Sequence, residues 1–128
     1  MHLTRIDPAL AEPAGDAYFE GDVRRYTLVA PSSPEEPELL AVFFAPGART
    51  RPHAHQYDQT LHVIAGRCLV RTDEARYEVG SGELITIPAG VWHWHGAAAG
   101  APMCHVSIKR RGDDTWDEAG MASWPAWD

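Results

Sequence analysis

Seven histidines are spread unevenly along this chain. His53 and His55 stand two apart, His93 and His95 repeat that spacing forty residues later, and His105 follows alone. Side chains two apart in a β-strand leave from the same face, so each pair aims two imidazoles in one direction wherever the backbone is extended. Neutral imidazole is the commonest metal ligand among side chains. In a sheet closed into a barrel the inward faces converge, and residues far apart in sequence can surround one ion. The two pairs therefore predict a metal site. His62 has the opposite parity to Gln59, Leu61 and Val63 and reads as a structural residue on the other face. His2 is terminal and carries no such pattern.

The elements that must position these rings are short. Apolar or alternating runs at 22–30, 38–45, 50–55, 59–65, 67–72, 75–80, 83–88, 91–97 and 102–109 are divided by Gly-, Pro- and Asp-containing breaks, the pattern of an all-β sandwich or barrel. A weak helical reading attaches only to the first ten to fifteen residues. The run 30–38, with three prolines and three glutamates, reads as an exposed connection. A tail holding Trp116, Trp124 and Trp127 carries too much aromatic surface to leave in water. It is expected to dock on the barrel or on a neighbouring subunit, with ligand stacking as the less favoured role.

At 128 residues the chain is long enough for one core and short for two, so a single domain is expected, with the barrel at about 18–109 and the tail at 110–128. The formal charge of −7 argues against nucleic acid as a partner. No apolar run approaches the length of a membrane-spanning helix. Cys68 and Cys104 form no CxxC pair, and reduced thiols in a cytoplasmic protein are expected.

The spacing of glycines around the histidines is more specific. Gly47, His53, His55, Gln59 and Gly66 stand at the intervals of G(x)5HxH(x)3-4E(x)6G, with Gln59 in the acid's place; Gly82, Pro88, Gly90 and His93 stand at those of G(x)5PxG(x)2H(x)3N, with Ala97 in place of Asn. In this order the two motifs resemble those of the cupin superfamily, and the resemblance covers about residues 38–109. It implies an all-β double-stranded β-helix (jelly-roll) barrel, a homodimer or higher homo-oligomer, and a divalent metal on His53, His55, Gln59 and His93. Mn or Fe is favoured, with Ni, Co and Zn open.

An amide at position 59 leaves three imidazoles and a neutral oxygen around a doubly charged ion, a stronger Lewis acid than a carboxylate-bearing site. The alternative is that Gln59 only hydrogen-bonds beside the ligands. "PGART", "QTLHVIAG" and "PAGVWHWHGAAAGAPMCHVSI" further resemble the small cupins of the (R)-mandelonitrile lyase type, in which Gln takes the glutamate position. That resemblance implies a small-molecule substrate, a cyanohydrin cleaved to an aldehyde and hydrogen cyanide. His105 or His95 would accept and return the proton, with an unperturbed pKa near about 6.5 suiting either direction, and Thr50 would orient the substrate oxygen. The other reading of His95 and His105 is that they hold a ligand ring or fill the barrel. Met103, which shares the face of His105, is expected to line the pocket. Pro52 and Lys109 depart from the pattern of the lyase-type proteins, so the pocket's shape or charge differs from theirs. Two other functions fit the same site: a non-haem metal dioxygenase and a non-catalytic ligand- or metal-binding barrel.

Overall fold

The computed structural model describes residues 1–116; Trp124 and Trp127 lie outside them. A 3₁₀ turn at Pro8–Leu10 precedes β1 (Glu12–Pro13), β2 (Phe19–Glu20), β3 (Val23–Val29), β4 (Pro37–Phe44), β5 (Arg49–Thr50), β6 (His53–His55) and β7 (Gln59–Ala65). Then come β8 (Arg67–Arg71), β9 (Arg76–Gly80), β10 (Leu84–Ile87), β11 (Trp94–Ala97), β12 (Met103–Arg110) and β13 (Asp114–Trp116). The weak N-terminal helix is not formed, because Pro8 and Pro13 remove two backbone donors from so short a run.

One sheet runs β1-β3-β4-β12-β7-β10 and the other β2-β5-β11-β8-β9, all neighbours antiparallel, while β13 and β6 form a separate ribbon. The arrangement is the jelly roll of a double-stranded β-helix. Strand β7 shows why the sequence folds this way: Gln59, Leu61 and Val63 are buried while Thr60, His62 and Ile64 are only partly so, the alternation of a strand with one face on a core. Leu61 and Val63 meet Val42 and Phe44 from the same sheet and Cys68, Val70 and Val79 from the other, closing one apolar core. His62 keeps its outward place.

Two predicted strands are interrupted. The run 50–55 divides into β5 and β6 at Arg51 and Pro52, and 91–97 narrows to β11, leaving His93 in an isolated bridge to His53. Gly66 turns β7 into β8 at φ 79, and a Cβ there would lie 2.2 Å from the carbonyl oxygen of Pro102, so no other residue fits. Burial pushes both free thiols up, Cys68 to about 12 and Cys104 to about 11, which keeps them protonated. Among the described residues no helix is long and apolar enough to cross a membrane.

Candidate metal centre

Breaking the strands at these points joins the two histidine pairs. The backbone N–H of His53 donates to the carbonyl of His93 at 2.9 Å and the N–H of His93 returns the bond at 2.9 Å, while the N–H of Gly90 donates to the carbonyl of His55 at 2.9 Å. Residues forty positions apart are thereby locked side by side. The ring centroids of His53 lie 4.6 Å from those of His55 and 4.3 Å from those of His93. One nitrogen from each of His53, His55 and His93 falls within 4.8 Å of the others, a group that could hold a metal ion.

The donor set fits a cation. His53 Nδ1 donates to the carbonyl of Arg51 at 2.7 Å, His93 Nδ1 to the carbonyl of Val91 at 2.9 Å, and His55 Nδ1 to the carboxylate of Asp114 at 2.7 Å. A carbonyl or carboxylate can only accept, so each Nδ1 carries the proton and each Nε2 keeps its lone pair. His93 Nε2 is buried without a hydrogen-bond partner, an expensive state unless a ligand meets it. Gln59 is oriented with its Nε2 donating to Ser107 Oγ at 2.9 Å and its Oε1 beside His55 Nε2 at 3.0 Å. With the His55 Nε2 lone pair facing it, that oxygen meets no proton there, and a cation between the two would suit both.

The second histidine pair contributes differently. His95 and His105 are 4 % and 0 % exposed, and His105 Nε2 lies 3.1 Å from His95 Nδ1. His105 Nδ1 is buried and has no partner among the described residues. The buried hydroxyl of Thr50 accepts the backbone N–H of His95 at 3.1 Å, tying β5 to β11 and still lining the cavity. The unperturbed pKa assumed for His95 and His105 does not survive folding. Burial pushes His105 down to about 4, and burial together with the charge of His105 holds His95 well below its ordinary value. His93 falls to about 4 and His53 well below 6.5, in each case first through burial.

These residues open onto a cavity of about 160 Å³. Phe19, Leu40, Val42 and Trp116 form an apolar side; Ser107, Lys109 and Asp114 form a polar one. Met103 is not among the lining residues. It lies at the start of β12, opposite Phe44 and within the core cluster, and borders a separate outer concavity. Trp94 is buried at 2 % with the Arg49 guanidinium 5.2 Å over its ring, whereas Trp92 is 38 % exposed.

A family model described as "Cupin domain" matches residues 41–109, more than half of the chain. The chain belongs to the cupin family. This cupin is 35% identical over 115 residues to (R)-mandelonitrile lyase from Granulicella tundricola, an alignment covering 88% of the chain and 87% of that relative. It superposes on a cupin-like protein from Thermotoga maritima with a TM-score of 0.77 and 29% identity, over 82% of this chain and 83% of that one. A cupin 2 conserved barrel domain protein from Rhodopseudomonas palustris matches at TM-score 0.78 and 20% identity, over 94% and 90% of the two chains, a likeness of fold.

Of the two tail residues at the cupin's site, Asp114 went unsignalled in the sequence, while Trp116 was expected only to dock on the barrel or a neighbouring subunit. Asp114 and Trp116 follow the matched region, yet β13 sets Asp114 opposite His55 and Trp116 opposite His53. The Trp116 ring stacks on His53 at 4.4 Å and on Tyr18 at 4.3 Å, so this part of the tail docks on the barrel mouth itself. Burial raises the Asp114 carboxyl, but the His55 hydrogen bond and the Lys109 charge outweigh it and hold the group below its ordinary value.

The depressed histidines make the metal-free cupin acid-labile. His93 and His105 titrate at about 4 in the fold against 6.5 ordinarily, so between those values the unfolded chain binds more protons and stability falls as pH falls. Each contributes a loss on the order of 3 kcal/mol across the window, at about 1.4 kcal/mol per pH unit. Urea unfolding of metal-free protein is expected to show a lower midpoint at about pH 4 than at pH 6.5; equal midpoints would mean that these rings are not buried neutral.

Proposed function

We propose that this cupin is a metal-dependent lyase that cleaves a cyanohydrin into an aldehyde and hydrogen cyanide. The observation that carries the reading is the pairing of a neutral three-histidine group, with Gln59 Oε1 beside the His55 ring, and a buried, uncharged His95–His105 pair lining the same cavity. The 35% identity to (R)-mandelonitrile lyase supports the same chemistry. A divalent ion held by His53, His55, His93 and Gln59 would supply Lewis-acid polarisation of the substrate oxygen.

The remaining work belongs to side chains. His105 Nε2 and His95 Nδ1 lie 3.1 Å apart and share one proton between them, and both rings line the cavity. This pair accepts the hydroxyl proton as the carbon–cyanide bond breaks with its electron pair, and it returns the proton to the departing cyanide, so no net proton is consumed. A low pKa makes the imidazole a reluctant base but a ready donor on the return step. Thr50, on the cavity wall with its O–H free to donate, orients the substrate oxygen. Phe19, Leu40, Val42 and Trp116 receive the hydrocarbon part and exclude water.

The test is benzaldehyde release from mandelonitrile by purified protein loaded with Mn(II) or Fe(II). Release above the metal-free control is expected with at least one metal. No release with either contradicts the lyase reading. Three histidines with open positions also suit oxygen binding, so oxygen uptake with catechol and diketone substrates is recorded beside it; uptake without benzaldehyde release would transfer the protein to the dioxygenases.

A further inference from the structure

We propose that Asp114 is a positioning residue of the metal centre and that it supplies, through His55, the negative charge that Gln59 withholds. The inference rests on the reading of His53, His55, His93 and Gln59 as ligands. It starts from a difference among the three histidines. His53 and His93 are each anchored by a neutral backbone carbonyl, of Arg51 and Val91, whereas His55 is anchored by a carboxylate oxygen at 2.7 Å. An imidazole that donates to a carboxylate is a stronger electron donor at its other nitrogen and is held in one orientation.

The placement is built by the fold. Strand β13 pairs antiparallel with β6 in a register that sets Asp114 opposite His55 and Trp116 opposite His53, so two successive outward contacts of one short strand brace the two histidines of the HxH pair. The other carboxylate lining the cavity, Glu38, accepts from Arg111 Nε at 2.8 Å and is not in contact with a ligand ring. Asp114 has one further charged neighbour, Lys109 Nζ at 3.8 Å.

Charge gives the placement its meaning. Four neutral donors leave a divalent ion with its full charge in a site where His53, His93 and His105 are 2 % exposed or less, and uncompensated buried charge is costly. A carboxylate on the far side of one imidazole lowers that cost without occupying a coordination position. The acid that the family pattern places at position 59 is thus moved outward to position 114, beyond the matched residues 41–109.

Mn(II) affinity, measured by competition with a chromophoric chelator, tests this on the wild type, Asp114→Asn, Gln59→Glu and the double variant, with the melting temperature of each metal-free protein recorded. Asp114→Asn is expected to weaken Mn(II) binding by about 10- to 100-fold. Gln59→Glu in the Asp114→Asn background is expected to recover most of that loss, because it restores the charge by another route. A folding defect in β13 would be common to both Asn-bearing proteins and cancels in their comparison. If the wild type binds Mn(II) and Asp114→Asn binds it within about twofold, or the double variant binds no more tightly than Asp114→Asn, the proposal is overturned. A wild type that binds no metal would instead remove the underlying metal centre.

Discussion

Alanine at both His53 and His93 is expected to abolish metal binding, leaving no metal on the dialysed protein where the wild type is expected to hold one ion per chain. The two rings come from different motifs and are stapled together by reciprocal backbone bonds at 2.9 Å that an alanine preserves, so the barrel's connectivity is retained. What disappears is two of three converging Nε2 lone pairs, leaving His55 with Gln59 Oε1. Two neutral donors do not hold a divalent ion against water, which offers oxygens freely. Elemental analysis of the dialysed variant, with circular dichroism to report the fold, makes the check. Stoichiometric metal in a folded double variant would show that the ion is bound elsewhere.

His105→Gln is expected to lower the rate of benzaldehyde release by about 10²- to 10⁴-fold, the contribution of a positioned proton-transfer group, while leaving metal content unchanged. His105 lies on β12 opposite Val42 of β4 and Val63 of β7, its ring 5.2 Å from Phe44, so the packed surroundings hold it in place. Glutamine keeps a polar group for His95 Nδ1 to meet but has no titratable nitrogen. The loss should fall on kcat rather than KM, since His105 acts on the breaking bond and the cavity walls do the binding. Undiminished kcat would make His105 a core-filling residue. A loss of metal along with rate would make it a support of the ligands.

Much of this centre was legible in the sequence because its grammar is local. The HxH spacing needs only the period of a strand, and the glycines mark turns that side chains cannot make, as Gly66 shows against the Pro102 carbonyl. The register Gln59, Leu61, Val63 was readable as one inward face and is one. Parity fixes a face but not a position along it, and that is why Met103 was misplaced: at the start of β12 it pairs with Phe44 and lies in the core. The pKa of His95 and His105 was likewise unreadable, because full burial is a property of the closed barrel. Asp114, and the place where Trp116 docks, had a signal only in retrospect. Their two-residue spacing matches that of His53 and His55, but nothing local announces that the end of the described chain folds back over β6. Aromatic weight alone suggested docking, and for Trp116 the surface it docks on is His53, one of the three histidines that could hold a metal ion.

The most direct test of the metal centre is anomalous diffraction from crystals of the Mn(II)- or Fe(II)-loaded protein, collected on either side of the metal's absorption edge. The account predicts one anomalous peak per chain, about 2.1 Å from Nε2 of His53, His55 and His93, with Gln59 Oε1 turned toward it and Asp114 still hydrogen-bonded to His55 Nδ1. A peak elsewhere, or a peak on the histidines with the Gln59 oxygen turned away, would contradict it.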